Sequence, residues 1–237
     1  MYKFQIVGHR GAPRQAPENT LLSFKRAMDI GVDWIEFDLR ETKDGVLVVI
    51  HDDAVDRTTD GKGKVRDMTF RELHGLDAGN GQEIPSLMQA IGLMKNYVKM
   101  DMEIKEPGIE EDVVAAIRRN DIAGQCMVSS FIYDSIKKVK DMDSAIATAA
   151  IMDKMPEDPQ ECLDTLLRDV KADAVMLSKK IVTPAFVGQI RRQGLRVGIW
   201  NADTPDEIDK YASMDPYYLC SNYPERLVEF RQVPVST

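Results

Sequence analysis

Hydrophobic and polar positions alternate between two periods along this chain. Short apolar runs rich in β-branched residues at 4–8, 33–39, 98–104, 125–129, 145–151, 174–177, 196–200 and 217–220 predict eight strands. Between and after them, apolar residues recur every three to four positions at 20–30, 86–95, 110–120, 132–140, 160–170, 184–193, 204–211 and 224–230, the spacing of amphipathic helices. Strands that alternate with helices to the end of the chain predict an α/β protein, and a (β/α)8 TIM barrel better than an open doubly wound sheet.

A ninth apolar run, at 46–50, breaks the alternation. Lys43-Asp44-Gly45-Val46 reads as a two-residue hairpin loop, because Asp-Gly tolerates the positive φ angles of a type I′ turn. So short a connection makes the run antiparallel to 33–39, so it belongs to a hairpin above the barrel rim. Pairing Lys43 with Val46 sets Asp38 opposite His51, with Cβ atoms roughly 5 Å apart. Glu36, two residues before Asp38, shares its face. Residues 52–85 are polar and glycine-rich, too long for a plain βα loop, and read as a small inserted excursion over the rim. The remainder shows no repeat or linker, so residues 1–237 are expected to form one domain.

The candidate chemistry sits where these strands end. His9-Arg10-Gly11 follows the first strand, Glu36 and Asp38 lie in the second, and His51-Asp52 ends the hairpin. The chain has three histidines, and two are here. A proton donor, a proton acceptor, a fixed cation and an oxygen-rich cation site suit the cleavage of a phosphate ester. The plainer reading makes Glu36 and Asp38 the solvent side of a half-exposed strand, and an imidazole arriving at the same spot argues against it. His74, at a predicted helix end, reads as structural or as a partner of the helix dipole.

Composition narrows the field. A formal charge of −8 speaks against nucleic acid as a partner, since phosphate backbones need a basic surface. No apolar run approaches the roughly 18 residues of a membrane span, and the start of the chain lacks the apolar stretch of a signal peptide. Cys126, Cys162 and Cys220 are odd in number and scattered, which fits reduced thiols in a cytoplasm and no thiolate metal site. A homo-oligomer is left open.

The stretches GHRGAPRQAPENTLLSFKRAMDIGVDWIEFDLRETKDGVLVVIHD, DRTTDGKGKVRDMTFRELHGLDAG, MEIKEP, VSSF and NYPERL, in that order, resemble the glycerophosphodiester phosphodiesterase family. This family belongs to the wider set of barrel phosphodiesterases that includes the phosphatidylinositol-specific phospholipases C. The resemblance implies a metal site of Glu36, Asp38 and Glu103, whose oxygen donors would suit one Mg²⁺ or Ca²⁺. It implies that Arg10 and Lys105 bind phosphate oxygens, although a rim lysine that only neutralises nearby acids is the alternative for Lys105. His9 and His51 would be the acid–base pair, with His9 the first base. The glycerol 2-hydroxyl would attack phosphorus to give a cyclic phosphate, which water opens to glycerol 3-phosphate. Trp200 would wall the substrate-binding site or else pack in the core. Asn19 reads as the cap of the first helix, and Glu18 as a possible support for Arg10 or His9. Two departures from the family pattern stand out: Asn201-Ala202-Asp203 after Trp200, and Asn222 where relatives often have an acid. Both read as lying outside the metal and histidine sets and as bearing on substrate preference. The expected substrate is a small glycerophosphodiester. A lysophospholipase D-type hydrolase and a non-catalytic phosphate-binding barrel are the alternatives.

Overall fold

The computed structural model describes residues 3–232. Nine strands appear in chain order: β1 (Gln5–His9), β2 (Trp34–Glu41), β3 (Leu47–Val49), β4 (Lys99–Ile104), β5 (Cys126–Ser130), β6 (Ala147–Met152), β7 (Ala174–Ser178), β8 (Arg196–Trp200) and β9 (Tyr218–Ser221). All but β3 pair in parallel around a ring that closes where β1 meets both β2 and β9. The predicted eight-stranded barrel is therefore what the chain forms.

Helices α1 (Leu21–Ile30), α2 (Phe70–His74), α3 (Leu87–Met94), α4 (Glu110–Asn120), α5 (Tyr133–Met142), α6 (Pro159–Thr165), α7 (Pro184–Arg192), α8 (Pro205–Ala212) and α9 (Pro224–Gln232) fill the connections. Their starts follow from side chains that satisfy the first free N–H groups. Ser86 and Gln89 form a reciprocal capping pair before α3, and Thr204 with Glu207 does so before α8, where Pro205 opens the first turn. Among the described residues no helix is long and apolar enough to cross a membrane.

The inward row of side chains, set by the strand period of two, changes character with height. Its lower part (Val7, Trp34, Met127, Met176 and Tyr218) is buried and apolar, with Trp34 and Tyr218 edge to face at 5.5 Å. Its upper part carries His9, Glu36, Asp38, Asp101 and Glu103. A packed apolar plug thus forms the floor beneath ionisable groups at the strands' C-terminal ends, the end where barrel active sites sit.

The rim hairpin differs from its predicted form. Leu39 pairs with Val49, Arg40 with Val48 and Glu41 with Leu47, one residue out of the expected register. The loop has three residues, 43–45, not two, and closes with Gly45 at φ 78°. Thr42 favours this form: its Oγ1 accepts the Val46 N–H at 2.9 Å and donates to Asp44 Oδ1 at 2.7 Å. Asp38 consequently lies opposite Ile50, whose N–H donates to the Asp38 carbonyl at 3.0 Å. His51 reaches the site because the chain turns out of β3, where Arg40 Nε donates to its carbonyl at 2.8 Å. The excursion that follows packs Val55, Val65, Leu73 and Ile84 into a cluster with Val48 and Ile50.

Candidate active site

The first functional element is the turn that ends β1. Arg10 and Gly11 both have positive φ, 54° and 89°. Ser23 Oγ donates to the Arg10 carbonyl at 2.8 Å, and the Asn19 N–H donates to the same oxygen at 3.2 Å. A Cβ on Gly11 would lie 2.4 Å from Ser23 Oγ, so glycine is required by both conformation and space. This turn points the Arg10 N–H at Glu36 Oε2, 2.9 Å away, and brings its guanidinium to Glu18 at 2.7 Å and Asp38 at 3.3 Å.

Strand register assembles the carboxylates. Glu36 stands level with His9 on one side and Asp101 on the other, and Asp38 stands level with Glu103. Ligand oxygens of Glu36, Asp38 and Glu103 all lie within 4.8 Å of one another, and the three residues are buried. Three close carboxylates cannot all ionise without compensation. Burial, then Asp38 and Glu103, push Glu36 well above the usual carboxylate range. Burial and Asp38 push Glu103 up to about 7. Burial opposes ionisation of Asp38 too, but the charges of Arg10 and Lys105 outweigh it and hold this group below its ordinary value. Lys105 Nζ donates to Glu103 Oε1 at 2.6 Å and lies 3.4 Å from Asp38 Oδ1. Lys105 thus sits as the counter-charge to two of the three acids.

The cluster fits a hard divalent cation. Its donors are all oxygens, and Asp38 Oδ1 is buried with no hydrogen bond. A cation among these groups would relieve the repulsion that raises Glu36 and Glu103. Deeper in the same inward row, burial pushes Asp101 up to about 7, and its Oδ1 also lacks a hydrogen bond.

His9, His51, Arg10, Lys105, Glu36 and Glu103 line one cavity of about 130 Å³, so all the predicted groups except the wholly buried Asp38 face a common space. Trp200 and Phe131, edge to face at 6.1 Å, form its apolar wall. Trp200 is half-buried and donates through Nε1 to the Met176 carbonyl at 3.1 Å, which favours the wall over the core role. His74 lies apart, stacked on Phe70 at 5.0 Å with Nε2 2.9 Å from Glu83, as a helix-end residue would.

Two histidines face the cavity in different states of support. His9 Nδ1 lies 2.8 Å from Asn222 Oδ1 and 3.2 Å from Asn201 Nδ2, while Nε2 is 3.9 Å from Glu36 Oε2. Burial and the neighbouring Arg10 charge pull its pKa down to about 4. His51 Nδ1 lies 2.6 Å from Asp52 Oδ1. Burial lowers His51 as well, against the opposing charge of Asp38 and the hydrogen bond to Asp52.

Several of these partners lie where the sequence pattern does not put them. Asn19 does not cap α1; Thr20 does, accepting the Ser23 N–H. Asn19, at φ 59°, instead donates through Nδ2 to Asp38 Oδ2 at 2.7 Å. Helix-cap statistics favour Asn and Thr alike, and the tertiary partner decided between them. Asn201 and Asn222 do not lie outside the histidine set, since both meet His9. Arg57, in the inserted excursion, had drawn no role. It donates to Asp52 through Nε at 2.7 Å and Nη2 at 3.1 Å, and to Glu18 through Nη1 at 3.0 Å and Nη2 at 2.8 Å. It thereby ties the support of His51 to the support of Arg10. The signal for it was present in the R-T-T run, but nothing local joins that run to Glu18.

A closed parallel barrel with paired imidazoles, cations and clustered carboxylates at its C-terminal mouth defines a phosphodiesterase-type site. The sequence profile of the glycerophosphoryl diester phosphodiesterase family matches residues 9–226, and the chain belongs to that family. It is an enzyme of that class, a phosphoric diester hydrolase. A glycerophosphodiester phosphodiesterase of Caldanaerobacter subterraneus is 32% identical, with 95% of this chain and 97% of that one covered. Among solved structures, an Oleispira antarctica phosphodiesterase in complex with the product sn-glycerol-3-phosphate superimposes with a TM-score of 0.87 at 27% identity, covering 97% of each chain. A glycerophosphodiester phosphodiesterase from Agrobacterium tumefaciens gives a TM-score of 0.84 at 26% identity, over 95% of this chain and 99% of that one.

Proposed function

We propose that this chain hydrolyses glycerophosphodiesters to glycerol 3-phosphate and an alcohol, by histidine acid–base catalysis through a cyclic phosphate, with one Mg²⁺ or Ca²⁺ bound. The observation that carries this reading is the convergence of His9, His51, Arg10 and Lys105 on a single cavity that Glu36 and Glu103 also line. The relative that holds sn-glycerol-3-phosphate supports the product.

His9 is the first base. Its low pKa keeps the ring neutral near pH 7, and Nε2 faces the carboxylate cluster. It takes the proton of the glycerol 2-hydroxyl as that oxygen attacks phosphorus. His51, whose Nδ1 edge is held by Asp52, protonates the departing alkoxide from its imidazolium form; as the ring opens it accepts a proton from water, and His9 returns its own proton to the glycerol 2-oxygen. Arg10, oriented by Glu18 and Asp38, presents the remaining donors of its planar fork to phosphoryl oxygens. Lys105 supplies a compact charge beside them. A cation held by Glu36, Asp38 and Glu103 would draw off charge accumulating on the phosphoryl group. Trp200 and Phe131 flank the carbon skeleton of the substrate.

The lysophospholipase D alternative wants an exposed apolar rim. The excursion instead turns Val55, Val65, Leu73 and Ile84 inward, which supports deacylated diesters as substrates. A coupled assay for glycerol 3-phosphate released from glycerophosphocholine tests the proposal. Turnover that chelator abolishes and Mg²⁺ or Ca²⁺ restores is expected. Absence of turnover with every glycerophosphodiester tried would overturn it, and faster cleavage of acylated than of deacylated diesters would shift the substrate class.

A further inference from the structure

On the side of His9 away from the carboxylates, the ends of β8 and β9 deliver Asn201, Asp203 and Asn222. The hydrogen-bond directions in this group are forced. Asp203 Oδ1 accepts the backbone N–H of Asn222 at 2.8 Å and Ser221 Oγ at 2.9 Å, and Oδ2 lies 2.8 Å from Asn222 Nδ2. A carboxylate surrounded by donors is an acceptor throughout. The Asn222 amide must therefore turn its NH₂ to Asp203, which leaves Oδ1 facing His9 Nδ1 at 2.8 Å. An amide oxygen cannot donate, so the proton of that hydrogen bond resides on His9 Nδ1.

We infer that Asp203 and Asn222 are positioning residues that lock His9 in its Nδ1–H tautomer, leaving Nε2, the nitrogen turned toward the carboxylate cluster, free to take a proton from substrate. The inference rests on the phosphodiesterase reading for its consequence, but the tautomer itself is independent of any turnover. Asn201 is the one contact that opposes it as placed, and a half-turn of its amide removes the conflict. With Nδ1 protonated, the approach of Asn201 Nδ2 at 3.2 Å is donor to donor, whereas its oxygen, buried without a hydrogen bond, is the atom suited to that place. The two departures from the family pattern thus act together on one ring. A neutral amide, held in one orientation by an acid behind it, sets which nitrogen is basic without placing a charge against the imidazole.

The test is the ¹⁵N spectrum of the full chain with labelled histidine, in buffer containing Mg²⁺. Three histidines give three ring patterns, assigned by His74→Gln and His51→Asn. His9 should show a protonated-type Nδ1 and an unprotonated-type Nε2, and the reverse pattern overturns the inference. Asn222→Leu should populate the Nε2–H tautomer and lower kcat on the order of 10²-fold with KM within about twofold, because proton abstraction and not binding is impaired. Asn222→Asp, which keeps an acceptor, should retain the Nδ1–H tautomer. An Asn222→Leu protein that keeps both the tautomer and full kcat would overturn the assignment. Should that variant not fold, the wild-type spectrum alone decides. An Nδ1–H ring in a protein without turnover sinks the phosphodiesterase reading and sustains the inference. Turnover with an Nε2–H ring does the opposite.

Discussion

His9 ends a buried barrel strand and presents Nδ1 to an amide, whereas His51 lies just past a rim hairpin with Nδ1 2.6 Å from the carboxylate of Asp52. An amide oxygen orients an imidazole and stabilises its cation only modestly, while a carboxylate orients it and stabilises the cation more strongly. The same residue type is thereby biased toward base on one side of the cavity and toward acid on the other. Mechanical support differs too. His9 is fixed by strand pairing with Glu36 of β2, but His51 depends on a chain segment stapled down by Arg57 through Asp52 and Glu18. One half of the site is built by the barrel and the other by its insertion.

The largest expected effect breaks the pair outright. His9→Ala and His51→Ala should each lower kcat on the order of 10²–10⁴-fold. A diester with an acidic leaving group should restore much of the turnover of His51→Ala, since no acid is then needed, and little of that of His9→Ala. Equal rescue of both would erase the asymmetry. Next, Glu36→Gln should weaken divalent-cation affinity on the order of 10–100-fold, measured by calorimetric titration, because the negative charge of one donor is lost beside His9. An unchanged affinity would remove Glu36 from the cation site.

A smaller loss is expected at the staple. Arg57→Ala should reduce kcat about tenfold, as expected for a partner that orients a catalytic group, with the fold retained. Wild-type kcat in that variant would mean that Asp52 holds His51 unaided. The smallest effect concerns stability. Asp101 and Glu103 are pushed up to about 7 in the fold, while unfolded carboxylates titrate near their ordinary values of 3.8 and 4.5. Between those values the native state binds more protons than the unfolded one, so stability is full at the acidic end and declines as pH rises toward 7. In chelator, the melting temperature should fall between about pH 5 and 7.5, and saturating Mg²⁺ should flatten that fall by replacing the lost protons. A flat profile in chelator would show that these carboxylates are better solvated than their burial implies.

Much of this arrangement was legible in the chain. Glu36 and Asp38 could be placed on one face because strand periodicity is rigid, and Glu103 with Lys105 follows the same rule. The hairpin shows where such counting fails. Asp44-Gly45 pointed to a two-residue loop, yet Thr42, two positions before Asp44, caps a three-residue loop through its hydroxyl and shifts the register by one. His51 reaches the cavity all the same, by a bend that no period encodes. Asn19, read as a helix cap, and Asn222, read as bearing on substrate preference, each take a partner from a distant strand instead.

Alternation of apolar and polar positions was enough for the barrel and for putting Glu36 and Asp38 on one face, and the resemblance carried by the ordered motifs added Glu103, the two imidazoles and the arginine. Strand and helix periods repeat along the backbone at fixed intervals, so neighbouring residues carry that information. What lay beyond reach was the set of hydrogen bonds behind each functional group: Asp203 through Asn222 to His9, Asn19 to Asp38, and Arg57 between Glu18 and Asp52. His9 and Asn222 are separated by 213 positions, and they meet only because β1 and β9 close the ring. Ring closure belongs to the packed whole, and the direction of a hydrogen bond depends on every donor and acceptor that packing brings within reach.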